Sequence, residues 1–253
     1  MNRREFLKMS GLTIGGVFIP PFEIEWPAGV RVRFDVNQDV FALTIDDGWS
    51  ADTILEFVQF CHDHNLKATW FAVGIGLERV RDEPQIMEIM AEDNWTVGYH
   101  TMHHHSVDEQ ALYDRQDWIN DYSQWLEIAN ETFKEYPWVV MPYARAAGGL
   151  FSYAFMEMCG VMGLTAYAWS QDSHSLVRGG NIVRGDVVLT HFRKSDWPWF
   201  EQVAAHDLEA VDILLMESLE EAEDNEKVGQ TVLPICKRDD GNPPCLYKVN
   251  QRG

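Results

Sequence analysis

Four side chains in this sequence have the types and the spacing of a metal-dependent hydrolytic site. The adjacent carboxylates Asp46 and Asp47 precede Gly48, so a tight turn could present one to a metal and the other to whatever the metal binds. Asp and Gly are also common turn residues, which is the alternative reading of this segment. His100 and His104 lie four residues apart and could bring two imidazoles to one cation if the stretch turns helically. Two histidines and one carboxylate leave an open coordination position, the pattern of hydrolytic zinc sites.

A third histidine leaves the register of this motif open. His103 lies three residues after His100. Positions three and four residues apart share one face of a helix. On spacing alone, His103 and His104 therefore compete for the second imidazole position.

Short apolar runs and helical periodicities alternate along most of the chain. Apolar runs predict strands at residues 40–45, 68–73, 95–99, 138–141, 164–169, 186–190 and 231–235. Apolar residues at helical spacing predict helices at residues 54–65, 85–93, 107–134 (as one helix or two), 150–159 and 200–222. This alternation is typical of parallel βα units, in an open sheet or a closed barrel. The acidic stretch at 217–226 is interpreted as a solvated helix face and turn.

The polar residues described above lie at or just after the carboxyl ends of predicted strands. Asp172 and His191 follow later strands in the same way. In barrels, that end of the strands carries the active site. The predicted elements would therefore bring all of these side chains to one face.

The composition excludes several classes of protein. The chain has 253 residues, with 20 Lys plus Arg against 40 Asp plus Glu and a formal net charge of -20. This charge repels nucleic-acid backbones and anionic lipid head groups, so we expect no nucleic-acid partner. With 46% hydrophobic residues, the composition is that of a folded globule. Neither G-x-G-x-x-G nor G-x-x-x-x-G-K-[ST] is present, so nucleotide cofactors lack a binding loop.

The first residues carry the pattern of an export signal. Arg3 and Arg4 precede a short apolar run within residues 1–22, which resembles a twin-arginine signal. The run is shorter than the about 20 apolar residues of an ordinary membrane span. Because no small-x-small cleavage site follows, the segment could remain as a membrane anchor. We expect the twin-arginine translocation machinery as a partner, and a protein that is periplasmic, extracellular or membrane-anchored on the outer side.

Three segments follow this signal: a lead-in, one domain and a tail, at residues 23–37, 38–235 and 236–253. In the tail, Cys236 and Cys245 bracket a short loop and are the best candidates for a disulfide in an oxidising compartment. Cys61 and Cys159 lie in apolar helical patterns, where a buried free thiol is expected.

The residues with candidate chemistry fall into five ordered motifs. They read T-I-D-D-G (44–48), H-T-M-H-H (100–104), M-P-Y (141–143), W-S-Q-D (169–172) and V-L-T-H (188–191). In order and spacing, these resemble the motifs of polysaccharide deacetylases, the NodB-homology proteins of carbohydrate esterase family four, over about residues 40–235. The resemblance implies an α/β fold, a distorted (β/α) barrel with a divalent metal at the strand carboxyl ends. The metal is usually zinc, with cobalt, nickel or manganese as other candidates.

The resemblance also implies a role for each matching residue. Asp47, His100 and His104 would bind the metal, since the family spacing favours His104 over His103. Asp46 would be the general base that takes a proton from the attacking water.

Three more residues complete the implied mechanism. The backbone N–H of Tyr143 would face the oxyanion of the tetrahedral intermediate. His191 would protonate the leaving amine. Asp172 would orient the imidazole of His191 and raise its basicity.

The sequence departs from the family pattern at three places. Val140 stands where the family usually has an Arg that pairs with the catalytic base, and Arg145, five residues later, could reach Asp46 instead. If nothing replaces that guanidinium, the activity of Asp46 as a base shifts toward higher pH. Ser-Leu at 175–176 replaces an Asp-Trp pair in motif four, and His105 stands where Pro or Ser often follows the second metal histidine.

Four tryptophans lie near the motifs in sequence and are candidates for stacking on sugar rings: Trp49, Trp169, Trp197 and Trp199. Core packing is the alternative for each of them.

The leading hypothesis is a metal-dependent hydrolase that removes N-acetyl groups from an extracellular or cell-wall polysaccharide. One alternative is a different hydrolysis on the same metal site, such as removal of an O-acetyl ester or cleavage of another amide. The other is a catalytically silent module that binds metal and glycan, which the missing motif-three Arg would explain.

Overall fold

The structure of the protein, a computed structural model, describes residues 26–173 and 180–227. Four predictions concern residues outside these ranges: the export signal, the Ser-Leu replacement, the last strand and the cysteine pair of the tail (1–22, 175–176, 231–235, and Cys236 with Cys245).

The strands form one parallel sheet. They are β1 Val30–Arg31, β2 Val40–Asp47, β3 Thr69–Ala72, β4 Thr96–Tyr99, β5 Val140–Ala144, β6 Thr165–Tyr167, β7 Gln171–Asp172, β8 Val187–His191 and β9 Glu209–Val211. Their order is β1-β6-β5-β4-β3-β2-β8-β7, and β9 pairs with the first residues of β2. With β1 and β7 at the two ends of this path, the sheet curls into a half-barrel. The predicted α/β class, a distorted barrel of parallel strands, is confirmed in this form.

Helices connect most of the strands. They are α1 Ala51–Asp63, α2 Gly74–Val80, α3 Pro84–Glu92, α4 Val107–Gln110, α5 Arg115–Thr132, α6 Tyr153–Met162, α7 Trp197–Ala204 and α8 Ile213–Lys227. The segment predicted as one helix or two forms two, because Ser106 and Asp114 each begin a helix with a capping box.

The single helix predicted at 200–222 is wrong. The segment contains the end of α7, strand β9 and the start of α8. The break has a local cause, since the Asp212 carboxylate accepts a hydrogen bond from the Leu215 N–H at 2.7 Å and so caps the start of α8. Before it, Glu209–Val211 lies beside Val40–Ala42, where backbone pairing replaces the helical hydrogen bonds.

Strand β2 runs through the centre of the core and is buried along its whole length. Side chains alternate across a strand. Phe41, Leu43 and Ile45 accordingly join the cluster beneath the helices, and Val40 and Ala42 join a second cluster on the inner face of the sheet. The same alternation places Thr44 and Asp46 on the inner face, at the carboxyl end of the strand.

Helix α8 closes the inner face, and its acidic side is not simply solvated as predicted. Both oxygens of Glu217 accept hydrogen bonds, from the hydroxyls of Tyr143 at 2.6 Å and of Tyr167. Two further glutamates accept hydrogen bonds from the lead-in: Glu220 from Arg31 and the Asp35 N–H, and Glu223 from Asn37. Since β1 also pairs with β6, the part of the lead-in from residue 30 onward is integrated into the domain.

Cys61 and Cys159 are buried free thiols, as expected from their apolar surroundings. Burial raises the pKa of both, that of Cys159 to about 12. Among the helices in the described part of the chain, none combines the length and the apolar character needed to cross a membrane.

Candidate active site

Asp47, His100 and His104 converge at the carboxyl ends of β2 and β4. One ligand atom of each lies within 4.8 Å of the others. Oδ1 of Asp47 is 3.6 Å from Nε2 of His100 and 3.4 Å from Nε2 of His104. His103 is exposed, and its ring lies 5.9 Å from that of His105. The tertiary structure thus selects His104 for the second imidazole position.

The two histidines meet through a loop and not through a helical turn. Residues 100–105 contain no helix, and both Thr101 and His104 have positive φ, at 68° and 50°. The His104 N–H donates to the Thr101 hydroxyl at 2.9 Å, which closes the loop. Asp47 also has positive φ, at 75°. Such conformations in non-glycine residues cost about 1–3 kcal/mol each and cluster at functional sites.

Glycines allow the surrounding segments to approach this loop. The N–H of Gly74 donates to the Thr101 carbonyl at 3.0 Å, and a Cβ on Gly74 would lie 2.3 Å from the sulfur of Met102. A Cβ on Gly76 would lie 2.3 Å from the carbonyl oxygen of Gly48. The first turn of α2 therefore packs directly against both segments that carry the triad.

The donor set of the triad fits a divalent metal. Among the described residues, Oδ1 of Asp47 and Nε2 of His100 are buried without a hydrogen-bond partner. Nδ1 of His100 bonds the carbonyl oxygen of Arg145 at 2.9 Å, which leaves Nε2 as the ligand atom. Burial by itself would raise the pKa of Asp47, but His100, His104 and Arg193 hold it well below its usual range. A buried, ionised carboxylate facing two imidazole nitrogens is a typical ligand set for zinc.

Arg145 answers the question left by the missing motif-three Arg. Its Nη1 donates to Oδ1 of Asp46 at 2.8 Å and to the Thr44 hydroxyl at 2.8 Å. The guanidinium is fully buried and lies 4.1 Å from the centre of the Phe71 ring. Arg145 therefore provides the positive charge beside Asp46 that Val140 cannot.

A bulge in β5 precedes Arg145. Val97 pairs with Val140 and Tyr99 pairs with Ala144. Between these two pairs the chain advances by four residues in β5 but by only two in β4. Bulges of this kind redirect side chains next to active sites. Pro142 lies in the bulged segment, where its lack of an N–H is tolerated.

Tyr143 lies in the same bulge, and its side chain is buried. Its hydroxyl donates a hydrogen bond to Glu217, which is not a member of the metal triad. Burial and the nearby Glu217 raise the pKa of Tyr143 far above its usual value, so the phenol stays protonated. The role implied for its backbone N–H stays a prediction.

The carboxylate that lies within hydrogen-bond distance of His191 is that of Asp196, whereas the motifs implied Asp172, whose role stays a prediction. Nδ1 of His191 lies 3.1 Å from Oδ2 of Asp196, because the turn at Lys194–Asp196 folds back onto the end of β8. Asp172 instead lies on β7, where its register partner is Leu189. Although burial acts to raise it, the pKa of Asp196 is lowered by His191 and Ser195. Sequence reasoning missed Asp196; its position five residues after His191 was the available signal.

His191 is adjacent to Asp46 in the sheet. The two residues are register partners on β8 and β2. The N–H of Phe192 donates to the carbonyl oxygen of Asp46 at 3.4 Å. The base and the acid implied by the motifs therefore lie on neighbouring strand ends.

Arg193 is a second residue at the site that the motifs did not reveal. Its Nη2 donates to Oδ2 of Asp47 at 2.5 Å, and its side chain is 47% exposed. The guanidinium thus binds the carboxylate oxygen that faces away from the two histidines.

The four tryptophans differ in position. Trp49 is 40% exposed, and its ring centre is 6.2 Å from that of His104, so it lies at the rim of the triad. Trp169 is half-buried, with its ring 4.9 Å from that of Trp26 and 5.8 Å from the Arg145 guanidinium.

The other two tryptophans lie on α7. The Trp197 ring packs against Phe57 and Phe60 of α1, at 4.7 and 5.0 Å, so core packing accounts for it. Trp199 is half-buried, and its contact with substrate stays a prediction.

Comparison with known proteins agrees with this arrangement. Residues 34–154 match the family model described as polysaccharide deacetylase. The chain is 25% identical over 185 residues to a peptidoglycan-N-acetylglucosamine deacetylase from Bacillus cereus, covering 67% of this chain and 80% of that protein. It is 26% identical over 151 residues to a chitooligosaccharide deacetylase from Sinorhizobium fredii, covering 60% of this chain and 66% of that protein.

Solved structures share the fold. Peptidoglycan deacetylase PdaC from Bacillus subtilis superposes with a TM-score of 0.60 at 17% identity, covering 77% of this chain and 97% of that one. A family 4 carbohydrate esterase pseudoenzyme from Bacillus anthracis superposes with a TM-score of 0.58 at 15% identity, covering 73% and 67%. The family model and the curated relatives therefore show that part of this chain is similar to polysaccharide deacetylases, and the solved structures show the same fold.

Proposed function

We propose that this protein is a metal-dependent deacetylase that hydrolyses N-acetyl groups on an extracellular or cell-wall polysaccharide. One observation carries the proposal: Asp46, in a buried ion pair with Arg145, lies next to the Asp47, His100 and His104 triad. Oδ2 of Asp46 is 3.5 Å from Nε2 of His100, so the candidate base adjoins the candidate ligands.

The triad would hold the metal, with zinc as the first candidate. When bound, a divalent metal supplies Lewis acidity that polarises an acetamide carbonyl and makes water more acidic. The two oxygens of Asp46 then have separate tasks. Oδ1 accepts a hydrogen bond from Arg145, and Oδ2 is left to accept the proton of the attacking water.

The pair of His191 and Asp196 would deliver a proton to the departing amine. Asp196 binds Nδ1, which fixes the orientation of the ring and leaves Nε2 as the nitrogen that can donate. The exposed Trp49 at the rim would stack on a sugar ring of the polymer.

Acetate release tests this function. Purified protein loaded with zinc is assayed on chitooligosaccharides, peptidoglycan and acetylxylan, with and without chelator. We expect chelator-sensitive acetate release from an N-acetylated glycan and its loss in Asp46→Asn. Release from acetylxylan alone would identify an O-acetyl esterase.

Glycan binding without turnover would instead identify a catalytically silent module. The pseudoenzyme among the structural neighbours shows that the fold can lose its activity. Arg145 argues for activity in this chain, since it restores the charge beside the base. In a silent module, glycan binding measured by calorimetry would be the same in wild type and Asp46→Asn, with acetate release at background in both.

We also propose export through the twin-arginine machinery, with either release or retention by an uncleaved N-terminal segment. Support comes from Arg3 and Arg4 before the short apolar run. Replacement of both by Lys should leave the protein in the cytoplasm in cell fractionation. Recovery of this double variant in the exported fraction would contradict the proposal.

A further inference from the structure

Asp121, on helix α5, lies behind the loop that carries the two triad histidines. Its carboxylate is 7% exposed and accepts three hydrogen bonds from that loop and the strand before it. Oδ1 binds the Tyr99 hydroxyl at 2.5 Å and the Met102 N–H at 3.0 Å. Oδ2 lies 2.7 Å from Nε2 of His105.

These contacts flank both triad histidines. Tyr99 immediately precedes His100, Met102 lies between the two, and His105 immediately follows His104. One carboxylate thus connects the start, the middle and the end of the segment 99–105. The helix that carries this carboxylate is eighteen residues long and packs against α2 and α6, so its position is fixed by contacts outside the loop.

The loop needs such an anchor. Its backbone has positive φ at Thr101 and His104, and conformations of this kind persist only where the surroundings over-determine them. Other supports act at single points: the N–H groups of Gly74 and Ile75 bind the carbonyls of residues 101 and 102, and Gln110 binds the carbonyl of residue 105. Asp121 is distinguished by its contacts on both sides of the histidine pair.

His105 is the residue of this network that departs from the family pattern. Its ring is buried, packs 4.8 Å from that of Tyr113, and turns Nε2 to Asp121. A proline or serine at position 105 could not form this contact with an imidazole nitrogen, so the departure noted in the sequence has a structural counterpart. Neither Asp121 nor His105 belongs to the triad.

We propose that Asp121 is a positioning residue that sets the affinity of the triad for its divalent cation, by holding His100 and His104 in the geometry seen here. The inference rests on the proposed metal-dependent function. Asp121 lies on a helix outside the five motifs. At metal sites, residues that orient the metal-binding side chains have a comparable role, and their loss typically lowers metal affinity about 10- to 100-fold.

Zinc affinity, measured by competition with a chromophoric chelator, tests this proposal without an activity assay. We expect Asp121→Ala to weaken zinc binding about 10- to 100-fold. Asp121→Asn keeps an acceptor for the Tyr99 hydroxyl and the Met102 N–H, and should lie between wild type and Asp121→Ala. The absorption spectrum of the cobalt-substituted protein should change in Asp121→Ala, because the coordination geometry changes.

Asp114→Ala is the matched control. Asp114 is exposed and caps the start of the same helix through the Gln116 and Asp117 N–H groups, with no contact to the loop. It should lower the thermal unfolding temperature while leaving zinc affinity and the cobalt spectrum unchanged. If loss of affinity only follows loss of stability, the two alanine variants will behave alike and the inference is wrong.

The remaining outcomes are also decisive. Zinc affinity within about threefold of wild type in folded Asp121→Ala or, if that variant does not fold, in Asp121→Asn, would overturn the positioning role alone. Failure of the wild-type protein to bind zinc would overturn the proposed metal-dependent function together with this inference. Weakened binding in both variants, with the control unaffected, would support it.

Discussion

At the residue scale, the chemistry proposed for Asp46 depends on how Arg145 is held. Four hydrogen bonds fix the buried guanidinium: to the Thr44 hydroxyl, Asp46 and the carbonyl oxygens of Tyr167 and Ala168. Burial lowers the pKa of Arg145, but Asp46 opposes this shift. Since an arginine stays protonated under ordinary conditions, the pair holds opposite charges in contact.

Arg145→Met should separate the electrostatic role of this pair from its packing. Acetate release should fall about 10²- to 10⁴-fold near neutral pH, because the carboxylate proposed as the base loses the guanidinium that holds and orients it. Unfolding free energy should fall by about 3–5 kcal/mol, because one partner of a buried ion pair is left alone.

The control for this variant is Arg184→Met. Arg184 forms an exposed ion pair with Asp39, and such pairs contribute about 0–1 kcal/mol. Arg184→Met should leave the rate of acetate release unchanged. An unchanged rate of acetate release in folded Arg145→Met would show that the guanidinium does not act on the base.

The contact between Asp196 and His191 gives a second prediction at this scale. Asp196→Asn should lower kcat about 10²-fold with little change in KM, because the amide cannot stabilise the protonated His191 ring. Asp172→Asn, the matched change at the residue implied by the motifs, should have a smaller effect. The measurement is steady-state acetate release from an N-acetylated chitooligosaccharide, and a larger loss in Asp172→Asn would reverse the assignment.

At the scale of elements, α8 shows how one capping residue couples the fold to pH. Asp212 begins this helix and is buried at 3% exposure. Burial raises the pKa of Asp212 from 3.8 to about 7, although its hydrogen bond to the Leu215 N–H acts in the opposite direction. The folded state therefore binds this proton more tightly than the unfolded state does.

The sign of the resulting pH dependence follows directly. The protonated Asp212 side chain contributes to the free energy of unfolding, and this contribution is fully present below pH 3.8. It is lost as the pH rises to about 7, at up to about 1.4 kcal/mol per pH unit. Asp212→Asn keeps the cap and removes the charge. It should be more stable than wild type at pH 8, and the difference should shrink as the pH falls to 4.

Urea unfolding of both proteins at several pH values measures this difference. Because the other ionisable groups are shared, their contributions largely cancel in the comparison. A constant difference between the two proteins across this range would contradict the assignment.

At the scale of the whole molecule, the charge of -20 bears on product release. A neutral acetylated glycan is little affected by this field, whereas each deacetylation creates an amine that becomes positively charged. The field is screened over about 10 Å at 0.1 M salt and over about 3 Å at 1 M.

Inhibition by the deacetylated product should therefore weaken as salt is added. The inhibition constant of a fully deacetylated chitooligosaccharide is measured at low and high ionic strength, with KM for the acetylated substrate as the control. We expect the inhibition constant to rise with salt and KM to change little. Inhibition that is independent of salt would show that the net charge does not act on the product.

The amino-acid sequence by itself determined the types of the candidate metal ligands, the βα alternation and the strand ends at which these residues lie. The ability to bind a metal depends on the type of side chain. The periodicity of apolar residues assigns each residue to a face of a helix or strand, and the end of an apolar run marks the edge of the sheet. The free thiols of Cys61 and Cys159 were predictable for the same reason, because apolar periodicity already marks a buried position.

Only the tertiary structure decided which side chains meet. Arg145 reaches a carboxylate 99 residues away, and Arg193 reaches one 146 residues away. Asp196 lies against His191, where Asp172 was expected. His104 reaches the triad through a loop with two positive φ angles, which helical spacing does not predict. Contacts of this kind depend on strand register, on a bulge in β5 and on loop paths fixed by packing elsewhere, which local sequence patterns do not encode.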